Sequence, residues 1–502
     1  MSESPSPPVP EPAPEAAAPL RNAVDELAAF VDSNETMSRY FGDPAVYADL
    51  QPRLKRFLSA TMDQVRTSHA LDCTGRILKQ ADLEDVEAFR EGVWKREVTG
   101  VIHFPGQRDH TAHTLNNWLL GWYIYSHSPP MRQALDAAIA ARKWAGTKFG
   151  ADVFFGHAWL FTSLLHDIGY LFEGSLSNME TGYQSTHATI GLRATDEYFH
   201  FGFWKHMSLN SAGDRRLSEH RSRQLPVAPG DPSLSRIAIY LRTLGDLDAL
   251  ARGLRATARD GGPDLPDELP GDAFELWKLH FSSFGQAGAA TRIEGLETAF
   301  LDYVVRGMPG LGIRVLDHGV CSGLVQLKIS AFFYQLMAAS LEDVASADAA
   351  DPAVSRAAGK LTRREEGLAH QYDYEYWWSG VVWATAAAAL HNVQQRKGDW
   401  CDGVRPGPLG LSEEPLTYLG ILVDCLQDWD RYFVFETPGK LPIQGVDVRL
   451  GTDAGKIVVI FPEGSKKQVE KVCEDLDAGL KDWKSLVALH VGKVPAEGRG
   501  TC

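Results

Sequence analysis

Cysteine is sparse and scattered in this 502-residue chain. Its six cysteines, Cys73, Cys321, Cys401, Cys425, Cys473 and Cys502, form no Cys-x-x-Cys pair. That spacing argues against a zinc ribbon or a disulfide framework, and reduced thiols in a cytoplasmic protein are the simplest expectation. Uninterrupted apolar runs long enough to span a membrane are lacking. A basic start followed by an apolar leader is lacking as well. The first stretch, MSESPSPPVPEPAPEAAAP, is rich in Pro, Glu, Ser and Ala, so residues 1–20 are expected to be a disordered tail. Excess positive charge is also missing. With 65 acidic and 50 basic residues the formal charge is −15, which argues against a nucleic-acid phosphate track as the main partner. No internal repeat is evident.

What is present is mostly helical pattern. Apolar residues recur three and four apart over 22–32, 44–66 and 110–127, and Pro129-Pro130 is expected to end the last of these. Further helices are expected at 131–149, 152–166, 317–342, 374–396 and 413–432. Residues 175–312 mix aromatic, His-rich and breaker-rich pieces and read as an insertion or lid. From about 440 the pattern changes. VDVRL and KIVVIF, joined by GTDAG, predict a hairpin; a helix at about 465–483 and the strand-like LVALHV follow. The chain therefore reads as mainly α, with a helical domain over 21–439 and a small α/β appendage over 440–502.

Five segments set polar, metal-type side chains in apolar or small-residue helices: 109-DHTAHTLNNWLLG-121, 164-LLHDIGY-170, 316-LDHGVCSGLVQL-327, 384-ATAAAALHNVQQ-395 and 418-YLGILVDCLQDWDR-431. Each has an ordinary explanation. His110 and His113 are one turn apart on one helix face and would serve as surface histidines. Asp167 would be costly to bury alone, so a Lys, an Arg or a metal is implied as its partner. Asp317 reads as a helix N-cap with His318 at the first helical position. His391 shares its face with Gly380, Ala384, Ala387 and Ala388, small residues that admit a close neighbour. Asp424 shares its face with Gln427, Asp428 and Arg431, and an Asp424–Arg431 pair is a structural alternative.

In order, these segments give His, His-Asp, His, His, Asp. That series resembles the HD-domain superfamily of metal-dependent phosphohydrolases, over residues 100–175 and 315–432. The resemblance implies an HD-type helical bundle with metal ligands His113, His166, Asp167, His318, His391 and Asp424. It also implies two divalent ions, one on His113, His166 and Asp424 and the other on His318 and His391, with Asp167 between them. The sequence departs from a compact HD core in the long stretch between Asp167 and His318, where 186-THATIGLRA-194 offers His187 as another third histidine.

Four imidazoles and two carboxylates without thiolate suit Fe, Mn or Zn. Two such ions would share a hydroxide for in-line attack on a small phosphorylated substrate. His110 would be the general acid, and Lys328 and Arg431 would hold phosphate. Gly169-Tyr170 beside the doublet resembles the cyclic-di-GMP phosphodiesterase group, but no Gly-Tyr-Pro block follows and the fourth site reads His391-Asn392, so that reading fails. Two alternatives share the ligand list: a di-iron oxygenase of the same superfamily, and an inactive nucleotide-sensing module.

Overall fold

The computed structural model describes residues 20–81, 109–143, 150–171, 251, 253–255, 263–306, 318–338, 374–392, 407–431 and 443–492. Among these, 71% are helical, in 14 helices, and four strands form one small sheet. The mainly α expectation is met.

The chain opens with a two-residue strand, β1 (Arg21–Asn22), and four helices: α1 (Ala23–Ser33), α2 (Glu35–Tyr40), α3 (Pro44–Ser59) and α4 (Asp63–Gln80). Asn22, Asn34 and Asp43 cap the first three, each side-chain oxygen accepting a backbone N–H of the first turn. The single helix expected over 44–66 is broken between α3 and α4. Arg66 folds back there, donating to the Ala60 carbonyl at 2.6 Å and pairing with Asp430 at 3.1 Å.

The centre follows. Helix α5 (His110–His127) is buried from His110 through Tyr125 on every side, with buried polar residues over its first two turns and apolar ones from Trp118 to Tyr125. Pro129-Pro130 ends it as expected but also starts α6 (Pro129–Arg142), because proline's fixed φ suits a first helical turn. Next come α7 (Ala151–Trp159), a π turn (Leu160–Leu164) and a 3-10 turn (Ile168–Leu171). Within the expected insertion, α8 (Ala273–Ser283) and α9 (Ala287–Arg306) are described. Trp277 and Phe281 of α8 are fully buried, and the Trp277 indole donates to Thr385 Oγ1 at 3.1 Å, so this part of 175–312 belongs to the core.

Helix α10 (His318–Ala338) lies against a helical run made of α11 (Tyr374–Tyr376), a π turn (Trp377–Val381) and α12 (Val382–Leu390). Small residues allow a close approach, as their pattern predicts, but it falls at Thr385 and Ala389. A Cβ on Gly323 would sit 2.5 Å from the Thr385 carbonyl oxygen and 2.8 Å from Ala389 Cβ. Helix α13 (Pro415–Leu426) completes the centre, with buried Glu414 capping it through the Leu416 and Thr417 N–H groups.

The C-terminal sheet comprises β2 (Arg449–Asp453), β3 (Lys456–Phe461) and, after α14 (Lys466–Gly479), β4 (Val487–Val491). Ala454 and Gly455 both take positive φ, the two-residue hairpin turn that matches strand twist. Strand order is β1-β2-β3-β4, with β3 and β4 parallel and the other pairs antiparallel. The first strand thus comes from the other end of the chain. Val469, Val472 and Leu476 bury one face of α14, and Leu409 pairs with Leu480 beside α13. One continuous apolar core runs through the helices and the sheet.

Candidate metal centre

All six expected ligand side chains meet in the helical core, and local features of the chain bring them there. Asp109 caps α5, accepting from the Ala112 N–H at 2.9 Å and the Thr67 hydroxyl at 2.6 Å, which fixes where His110 and His113 begin. The π turn before the doublet widens the helix. Thr162 and Ser163 hydroxyls take up the i−4 carbonyls of Ala158 and Trp159, at 3.0 and 2.6 Å. Helix α10 then grips the doublet on both sides. Gln326 donates to the Leu165 carbonyl at 2.8 Å, and the Gly169 N–H donates to Ser322 Oγ at 2.7 Å. Gly169 is required there: a Cβ would lie 1.9 Å from the His318 carbonyl oxygen.

His166 and His391 end their helices in the same way. Each donates its Nδ1–H to the carbonyl three residues back, Ser163 and Ala388, at 2.6 Å. A helix-end carbonyl is satisfied, and Nε2 is turned inward. His166 Nε2 makes no hydrogen bond; its nearest acceptors are Asp167 Oδ1 at 3.3 Å and Asp424 Oδ1 at 3.7 Å. His113 is oriented by Gln427. The Gln427 Nε2 donates to the Trp429 carbonyl, so Oε1 faces His113 and accepts its Nδ1–H. His113 Nε2 is then an acceptor, yet it lies 2.7 Å from Asp424 Oδ1. Two acceptors so close repel unless a proton or a metal ion supplies positive charge.

Two overlapping groups result. His113, His166 and Asp424 offer ligand atoms all within 4.8 Å of one another, and so do His166, Asp167 and His391. His318 lies at the edge of the second group, its Nε2 3.6 Å from Asp167 Oδ1. Asp167 is shared: Oδ1 faces His166 and His318, while Oδ2 accepts from His110 Nδ1 at 3.2 Å. Tyr170 packs against the site itself, its ring stacked on that of His318 and tilted against that of His110.

The charges follow from burial and neighbours. Burial raises the Asp167 carboxyl, but His166, His110 and His318 more than offset it and hold the group well below the usual carboxylate range. Asp424 behaves alike: burial is outweighed by Arg431, His113 and His166. Burial, reinforced by Arg431, lowers His113 to about 4, and burial with neighbouring His166 and His318 lowers His391 to about 4. The site thus combines two ionised carboxylates with imidazoles held neutral at His113 and His391, a donor set that fits divalent cations.

Arg431 reaches Asp424, with Nη2 3.5 Å from Oδ1 and Nη1 3.4 Å from the carbonyl oxygen. Lys328 lies on α10, but its side chain, like Asp317 and His187, is outside the described residues. Sequence reasoning missed the supporting shell. Ser322 and Gln326 carry no motif, and Gln427 was placed on the Asp424 face without its tie to His113. Asn117, one turn beyond His113, also went unnoticed, and its Nδ2 lies 3.0 Å from His113 Nε2. The i, i+4 spacing on a buried helix was the available signal. No protein-family model, curated protein or solved structure matches the chain.

Proposed function

We propose that the protein is a metal-dependent hydrolase of small phosphate esters or nucleotides, built on an HD-type helical bundle with two divalent ions. One observation supports this reading: His113, His166 and Asp424 offer ligand atoms within 4.8 Å of one another, and Asp167, His391 and His318 lie directly beside them, more donors than one cation needs. Mn, Fe and Zn suit the mixed nitrogen and oxygen donors. Bound ions would supply charge neutralisation for phosphate oxygens and an activated water.

The chain's own residues do the rest. His113, His166 and Asp424 would hold one ion, and His318 and His391 the other, with Asp167 available to either. His110, oriented through Nδ1 by Asp167, is the proposed general acid for the leaving oxygen. Arg431 steadies the Asp424 carboxylate through one Nη, and the other donors of its guanidinium are candidates for a substrate phosphate. Lys328 remains a candidate phosphate ligand.

Metal analysis of the purified protein, followed by a panel of phosphomonoesters, phosphodiesters and nucleotides with Mn²⁺, tests the reading. Phosphate release that disappears together with metal in His166→Ala is the expected result. Iron-dependent O₂ consumption without phosphate release would reassign the site to the oxygenase alternative. A metal-free protein in which His166→Ala changes neither stability nor activity would end the metal reading.

A further inference from the structure

The carboxamide of Asn117 lies at the centre, and the proposed reaction does not use it. Asn117 lies on α5, one turn after His113 and on the same face, and it is 2% exposed. Its Nδ2 is 3.0 Å from His113 Nε2, the nitrogen that also faces Asp424 Oδ1 at 2.7 Å. Its Oδ1 is buried and has no hydrogen-bond partner. A buried amide oxygen without a partner is costly, and the two ends of a carboxamide exchange by rotation about one bond. With the ends exchanged, the oxygen faces the point on which His113 and Asp424 already converge.

We infer that Asn117 is a further ligand of the cation held by His113, His166 and Asp424, contributing its amide oxygen. The inference rests on the two-ion reading above. It explains why a polar residue occupies a fully buried helix at this turn, and it gives the buried oxygen a partner while the amide nitrogen takes the place the oxygen leaves. It also changes the chemistry of the position. Two imidazoles, one carboxylate and one neutral amide oxygen favour a harder ion and a higher coordination number than the three ligands alone. The two cation positions would then differ, one richer in oxygen and the other in imidazole.

The contrary role is definite as well. If the amide only donates to His113 Nε2, an incoming ion must displace it, and removing the amide would strengthen binding. Titration of metal-free full-length protein with Co²⁺ alone, read by calorimetry and by visible absorption, separates the two. For Asn117→Leu, the ligand role predicts that one of two binding steps weakens by about 10-fold or more. Its absorption would also intensify as coordination number falls. Unchanged or tighter binding overturns the inference while leaving the hydrolase reading intact. Failure of the unmodified protein to take up Co²⁺ overturns both. If Asn117→Leu fails to fold, Asn117→Ala removes the same carboxamide without added bulk and decides the question by the same comparison.

Discussion

The ring of Tyr170 lies 3.9 Å from the ring of His318 and 13° from parallel. It also meets the ring of His110, at 3.9 Å and 36° from parallel. One half-buried aromatic therefore sets the planes of two histidines from different helices. Each ring contact is worth about 0.5–1.5 kcal/mol. Tyr170→Phe should retain activity on a chromogenic phosphodiester, whereas Tyr170→Leu should lower kcat by about 10-fold, with a smaller effect on KM, because His110 loses its fixed orientation. Equal loss in both variants would point to the hydroxyl instead.

Gly169→Ala tests how tightly the doublet is seated. The added methyl would meet the His318 carbonyl oxygen at 1.9 Å and Ser322 Oγ at 2.7 Å. Neither can retreat without shifting α10. Overpacking of this kind costs about 1–3 kcal/mol. Urea unfolding should show that loss, and metal content should fall with it, since Asp167 and His318 move apart. An unchanged unfolding midpoint would mean that the turn relaxes freely.

Gln427 is expected to matter for metal and little for fold. It accepts the His113 Nδ1–H and so keeps Nε2 available. Outer partners of this type typically contribute 10–100-fold in affinity, so Gln427→Leu should weaken Zn²⁺ binding by about that range in a chelator competition. Gln427→Glu keeps an acceptor for His113 but loses the donor to the Trp429 carbonyl, so its affinity should fall between the two. Equal binding by all three proteins would show that His113 needs no such partner.

A separate prediction concerns pH and lies away from the centre. His157 of α7 is enclosed by the edges of Tyr40 and Tyr376, and burial lowers its pKa from 6.5 to about 3. Between those values the unfolded chain binds a proton that the folded protein refuses. The stability is complete above the unfolded value and falls as pH drops toward about 3, by about 1.4 kcal/mol per unit. His157→Phe removes this contribution. Its melting temperature should change less than the parent's between about pH 7.5 and pH 5, measured in parallel thermal scans.

Much of the scaffold was readable in the linear pattern because burial is periodic. The helix carrying His110 and His113 has the bounds expected of it, and the hairpin at Ala454-Gly455 follows from its turn residues. What could not be read depends on three dimensions. The break after Ser59 comes from Arg66 reaching both Ala60 and a residue far along the chain, Asp430. The π turn over Leu160–Leu164 has no periodic signature of its own, since its hydroxyl bonds are made after the helix forms. The six ligand positions were nominated by resemblance, and their convergence is a property of the fold. Gln427, Ser322, Gln326 and Asn117 were beyond pattern reading because each acts through a contact, and amides and hydroxyls on apolar helices look alike until their partners are known.

The pairing of Arg21 with Leu450 has a consequence for how this protein is made. A ribosome delivers the first strand of the sheet long before the second. Asp424 likewise emerges late, after the histidines it must meet. Closure of the sheet and convergence of the six His and Asp side chains both await residues far along the chain, and contacts between such distant partners form slowly. During synthesis the buried helices α5 and α12 must therefore wait for their final neighbours.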